Sequence, residues 1–350
     1  MKRLWLYTNR FVLLGFALVL VLLLPVIYVE TMCQGSADPQ PYESLIAPEF
    51  HRTESRTLMT YPEWDIVYAY EDYAKVIANG DPHEFGYVRA VEGFWSSLCS
   101  LSMASSAHGK IDGSTKQMVY VIGVSFTVEL LLKAAYEETL GRLFVEIRGG
   151  ERASLDELSA GHAKNYAEFL QQVPWYKWRF REDRAELREQ ATKAWRDRER
   201  RFALGVEYGV KAAYADVIAE AVSQVGLDQL TLRMIVRDVD KALLETPDSV
   251  SILSKRPEGF EIEAPRYRGL TLLLQDWAID GATFVEIAGN DDILFTVLTN
   301  EPTMSGALYS RQRQGFGDNR HLVMTKVGNL AETLRVMLAN GQQIEHIHDY

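Results

Sequence analysis

Residues Phe11 to Val29 read FVLLGFALVLVLLLPVIYV, 19 in a row without a charged side chain. As a helix rising 1.5 Å per residue they reach about 28 Å, close to the roughly 30 Å hydrocarbon core of a bilayer. In lipid a helix satisfies its own backbone hydrogen bonds, so this run is suited to crossing. Lys2, Arg3 and Arg10 precede it. Such a basic flank stays in the cytoplasm, and Glu30 onward emerges on the far side. Pro25 lies near the far end, where a kink costs least. A cleaved signal peptide has a shorter apolar stretch, about 7–15 residues, and a small-residue cleavage site. Only Gly35-Ser36-Ala37 resembles such a site, and Glu30-Thr31-Met32 ahead of Cys33 is a poor lipoprotein signal. The run is therefore expected to be an uncleaved anchor, with the bilayer as partner of residues 11–29.

Working outward, a second apolar stretch runs from Met118 to Ala135. Ser125, Glu129, Lys133 and Glu137 recur every four residues within and just beyond it, on one helix face. Glu129 and Lys133 can pair across one turn of a buried helix, whereas in a bilayer each would cost a few kcal/mol. Between Glu30 and Gln117 there are 13 acidic and 6 basic residues, and cations thicken afterwards. That gradient fits a two-pass hairpin with a cytoplasmic C-terminal domain. The energetic argument favours one crossing. The short basic N-terminus and the absence of Asn-x-Ser/Thr sequons point to a bacterial inner membrane, with the soluble part periplasmic.

The net charge of −11 argues against nucleic acid as a partner. Two cysteines, Cys33 and Cys99, are too few for a disulfide framework and do not fix the redox compartment.

Residues 30–58, with scattered Pro, Ser and Thr, read as a tether. Residues 59–245 read as an α-helical domain. Pro62 opens a helix carrying Trp64, Val67, Ala74 and Ile77 at helical spacing. Ser154, with Glu157 three residues later, has the spacing of a capping box. Beyond Pro174 one long helix is expected, with Phe202, Val206, Val210, Ala213, Val217 and Ala221 as its apolar stripe. Its first half, Lys177 to Arg201, holds ten basic and six acidic residues near Trp175, Tyr176, Trp178, Phe180 and Trp195. Such interleaving suits a helix at a lipid interface. It suits equally a solvated face whose aromatics fold inward, and we take the second reading.

After Pro247 the period shortens. Residues 246–350 read as an α+β domain: strands at 260–264, 284–288, 293–298, 321–327 and 343–350, and helices at 270–279 and 329–339. Apart from one surplus strand and an extra loop from Pro302 to Arg320, this order is ferredoxin-like. The expected fold is thus membrane-anchored and mainly α, closed by an α+β domain.

Catalytic signatures are sparse. There is no P-loop, CxxC or HExxH; Gly123-Val124-Ser125-Phe126-Thr127 lacks the second Gly of a nucleophile elbow, and Gly315-Phe316-Gly317 lacks the third Gly of a dinucleotide site. No cofactor is expected. Glu129, Lys133, Glu137 and Glu138 are the catalytic candidates, as a buried carboxylate site, against the plainer reading of a salt-bridge network. Tyr61, Glu63 and Trp64, with Tyr68, Tyr70, Glu71 and Tyr73, are ligand-binding candidates. His346 and His348 share one face of a strand and are the metal candidates, with His321 or Glu286 as a third ligand. Two ligands on an end strand are too few for a closed zinc site, so no stoichiometric metal is expected. The function these features suggest is a non-catalytic binding or assembly module at the membrane, acting through protein contacts of the helical domain. The rival is an enzyme with its site between the helical and α+β domains. A deep cleft would favour the enzyme, a flat apolar patch the module.

Overall fold

The computed structural model describes residues 17, 19–36, 42–109, 111–149, 151–222 and 230–349. Residues 11–16 and 18 of the N-terminal apolar run lie outside the described residues. What is described of it forms α1 (Val19–Met32). The helical region continues with α2 (Glu54–Thr60), α3 (Pro62–Asn79), α4 (Tyr87–Ala104) and α5 (Gly113–Tyr136). A π-helical turn at Glu137–Gly141 joins α5 to α6 (Arg142–Arg148). Together Gly113–Arg148 make one stretch long and apolar enough, by length and composition, to cross a membrane. Next come α7 (Ser154–Leu170), α8 (Phe180–Gln190) and α9 (Trp195–Val222).

Local chemistry sets these boundaries. Asp112 caps α5, accepting from the Thr115 N–H at 2.8 Å. The cap of α7 is Ala153, one residue earlier than the Ser154 box implied, and its N–H donates to the Asp156 carboxylate at 2.9 Å. The single long helix beyond Pro174 is two helices. Asp197, in the first turn of the second, accepts from the Thr192 N–H and hydroxyl, at 2.8 and 2.5 Å, and so pins the break at 191–194 against it.

The largest departure concerns which face of α9 is buried. Leu204, Tyr208, Ala212 and Ala215 pack inward, while Phe202, Val206, Val210 and Val217 are between 52% and 66% exposed. The apolar stripe read from the sequence is the outer surface. A disulfide joins Cys33 to Cys99, so the two cysteines tie the end of α1 to α4. Val26 and Val29 of α1 join the core between α3, α4 and α5, and Glu30 accepts from Lys116 (2.8 Å) and Tyr120 (2.6 Å) on α5.

The sheet region holds two four-stranded antiparallel sheets where one was expected, and the first keeps the ferredoxin-like strand-helix-strand-strand-helix-strand order. Its first half comprises β1 (Thr231–Arg237), α10 (Lys241–Glu245), β2 (Ser251–Arg256), β3 (Gly259–Pro265), α11 (Arg268–Ile279) and β4 (Thr283–Ile287). The second half comprises β5 (Asp292–Thr299), β6 (Ala307–Gln312), β7 (Asn319–Lys326), α12 (Val327–Ala339) and β8 (Gln343–His348). The orders β2-β3-β1-β4 and β6-β7-β5-β8 are the same topology twice. Leu270 and Leu330, Leu274 and Leu334, Phe284 and Ile344, and Ile287 and Ile347 occupy matching places in one shared core. Gly281 and Gly341 both follow a helix end at positive φ, 95° and 74°, where glycine avoids strain. Three strands escaped the sequence reading. β1 was absorbed into the helical domain, β2 lacks a buried alternation, and β6 lies inside the supposed loop of 302–320.

Part of the expected tether is strapped to the first sheet. Glu286 of β4, fully buried, accepts from the N–H groups of Leu45 (2.7 Å) and Ile46 (2.9 Å) and the hydroxyls of Tyr42 (2.7 Å) and Ser44 (2.8 Å). Four donors explain how a carboxylate can sit there.

Candidate functional site

α3 lies across the second sheet and presents Tyr61, Trp64, Asp65, Tyr68, Glu71 and Asp72 to it, a spacing that keeps them on one helix face. From the sheet side, β6 and β7 bring Arg311 and Arg320, the turn between them brings Arg313, and β8 brings Glu345, His346 and His348. Arg311 and Arg320 stand directly opposite each other in the ladder. Like charges so placed repel, and the carboxylates around them offset this. Arg320 pairs with Glu345 at 2.5 Å and Glu71 at 3.0 Å, and lies 3.7 Å over the Tyr68 ring. Arg313 binds Glu71 (3.1 Å) and Asp318 (2.9 Å), and Arg311 approaches Asp65 at 3.4 Å. Asp72 accepts from the Gln314 N–H at 3.0 Å. Gly93 on α4 has no side chain where one would meet Arg311: a Cβ there would sit 2.4 Å from its Nη1.

Beside this network the rings gather. Trp64 stacks on His346 at 3.9 Å between centroids and meets His348 at 5.3 Å. Tyr61 stands edge-on to His348 at 4.6 Å, and the two imidazoles are 4.7 Å apart. Two candidate groups nearly 300 residues apart in sequence thus meet, with Glu63 half-buried in the same first turn of α3. Burial pushes His346 down to about 3, and burial, then His346 and Arg320, hold His348 well below the usual imidazole range. Burial raises the carboxyls of Asp65, Glu71 and Asp72 despite the arginines, and lifts the Tyr61 and Tyr68 hydroxyls well above the usual phenol range. Glu345 and Asp72 keep Arg320 charged against the burial that opposes it.

Chemically, two neutral imidazoles beside a guanidinium could serve a base or a ligand role, yet both histidines are buried. Among the described residues no three His, Cys, Asp or Glu side chains are grouped to hold a metal. His321, proposed as a third ligand, is bound to Thr299 (2.9 Å) and Ser310 (2.9 Å), and Glu286 holds the strap. Two cavities lie away from this cluster. One is a void of about 10 Å³ inside the helical core, the other a groove of about 430 Å³ between α8 and α9.

The remaining candidates lie elsewhere, in a ladder that clamps α5 to α9. Glu129 pairs with Lys211 (2.8 Å), Lys133 with Glu207 (3.1 Å) and Glu137 with Arg200 (2.8 Å). Partners come from another helix, not from one turn away. Burial alone would raise Glu207, but Lys133 and Lys211 overcome it and hold the carboxyl down to about 2. Glu138 is outside the ladder, paired with Arg142 at 2.5 Å on the surface.

Arg311, Arg313 and Arg320 were missed by the sequence reading. The signal was present in cations alternating at 311 and 313 followed by Gly315 and Gly317, which mark a hairpin. Compared with known protein families, curated proteins and solved structures, the chain matches none.

Proposed function

We propose that the chain is a membrane-attached, non-catalytic binding or assembly module, anchored by residues 11–29 in a bacterial inner membrane. One contrast carries this reading. The arginines that converge at the junction are ion-paired and its histidines, though His348 and Nε2 of His346 lack hydrogen-bond partners among the described residues, are enclosed, whereas apolar side chains stand uncovered along α1, α5 and α9, among them Leu24, Val121, Leu132 and Val210. Uncovered apolar patches mark surfaces that meet a partner. A periplasmic soluble part draws support from the Cys33–Cys99 bond, since disulfides persist in oxidising compartments. Against a two-pass arrangement, a crossing α5 would carry its ladder of charges to α9 into hydrocarbon. The enzyme alternative draws on the meeting of Tyr61 and Trp64 with the histidines.

Full-length protein should stay with membranes through alkaline carbonate extraction. A periplasm-dependent reporter fused after Tyr350 should be active. Recovery in the soluble fraction with the N-terminus missing would overturn the anchor, and an inactive reporter would move the domain to the cytoplasm.

A further inference from the structure

The outer face of α9 has a neighbour of definite chemistry. At about 100° per residue, Phe202, Val206, Val210 and Val217 form one stripe opposite the buried Leu204, Tyr208, Ala212 and Ala215. α8 runs along its edge, and Arg181, Arg184 and Arg188 line the open groove between the helices. Its floor is Gly209, Ala212 and Ala213. Gly209 leaves room for Arg184, whose Nη1 would lie 3.0 Å from a Cβ there. Arg181 is bound twice by Asp216, while Arg184 Nε has no hydrogen-bond partner among the described residues. At the head of the stripe Trp195 is 72% exposed, with Arg198 5.8 Å over its ring. α5 contributes as well. The ladder to α9 runs antiparallel, and helical phase then puts Met118, Val121 and Leu132 on the same side as the α9 stripe.

We propose that this face docks on a bilayer containing anionic phospholipid, the stripe entering the headgroup–acyl boundary and the arginine row binding lipid phosphates. Apolar residues beside arginine and an exposed tryptophan are the composition of an interfacial helix, and guanidinium matches phosphate bidentately. In a chain of net charge −11, Lys177–Arg201 holds ten basic against six acidic residues, and of these Arg181, Arg184 and Arg188 line this groove while Arg196 and Arg200 are buried in ion pairs. A second copy docked face to face would oppose one arginine row to another. The inference rests on the membrane reading, since the anchor brings this face within reach of lipid.

The test uses the full chain, reconstituted into phosphatidylcholine vesicles with or without phosphatidylglycerol. It carries an environment-sensitive dye at Val210→Cys or, as a control, at Val336→Cys on α12. The dye at 210 should shift to the blue and be quenched by brominated acyl chains, more strongly with anionic lipid. High salt, or Arg181→Gln with Arg184→Gln and Arg188→Gln, should remove that gain, while the dye at 336 stays aqueous. An aqueous dye at 210 in vesicle-bound protein overturns this inference and leaves the anchor standing. An equal shift on both lipids, or one that follows protein density, also overturns it, the latter in favour of a second copy. Protein that fails to join vesicles sinks both readings.

Discussion

His346 and His348 are neutral in the folded chain because burial disfavours imidazolium, whereas in the unfolded chain they titrate near 6.5. A depressed folded value means that their stabilising share is complete above pH 6.5 and is lost as pH falls towards about 3. Asp65, Glu71 and Asp72 are shifted upward and so act in the opposite sense over part of that range. The clean measurement is therefore a difference. Between pH 7.5 and 5.5 the wild type should lose about 2–3 kcal/mol more stability than a His346→Leu, His348→Leu variant, about 1.4 kcal/mol for each imidazole. Urea unfolding of both proteins at both pH values gives the number, and parallel losses would show that the imidazoles are not held neutral. At this scale the sequence was informative about residue type: Tyr61, Trp64, His346 and His348 were singled out as two groups. That they form one group depends on α3 crossing β8, which no local pattern encodes.

Among the elements, α9 separates apolar pattern from burial. Val206→Ser and Val210→Ser should change unfolding free energy by no more than about 0.5 kcal/mol, as exposed sites do. Leu204→Ala, on the inward face, should cost about 2–5 kcal/mol. The opposite ranking, read from denaturation midpoints, would restore the buried stripe that periodicity implies. The bond between α1 and α4 gives a second expectation. It closes a loop with a sequence separation of 66, for which chain entropy predicts a loss of about 4 kcal/mol on removal. Cys33→Ser with Cys99→Ser should show that loss against the oxidised wild type, and an unchanged midpoint would mean that the thiols are not joined in solution. The polar stripe of α5 was legible as a stripe. Its partners on α9 were not, because Glu129 and Lys133 satisfy the one-turn rule equally well.

At the level of the whole molecule, the junction joins the helical region to the sheet region through Arg320, whose partners Glu71 and Glu345 belong one to each. Both regions should therefore lose amide protection together during urea unfolding. Arg320→Met leaves two carboxylates facing each other, should cost about 3–5 kcal/mol, and should separate the two transitions in hydrogen exchange. Separate transitions in the wild type would mean that the network does not couple them. By itself the sequence determined the quantities that depend on near neighbours along the chain. These are the 19-residue apolar run, the helical period through most of 59–245, the shorter period after Pro247, and glycine at the turns. Only the tertiary structure decided that two sheets repeat one topology, that three arginines enter under α3, and that the apolar stripe of α9 faces outward. The physical reason is that periodicity records which side of an element is apolar, while burial depends on what another element, or a bilayer, lays against that side.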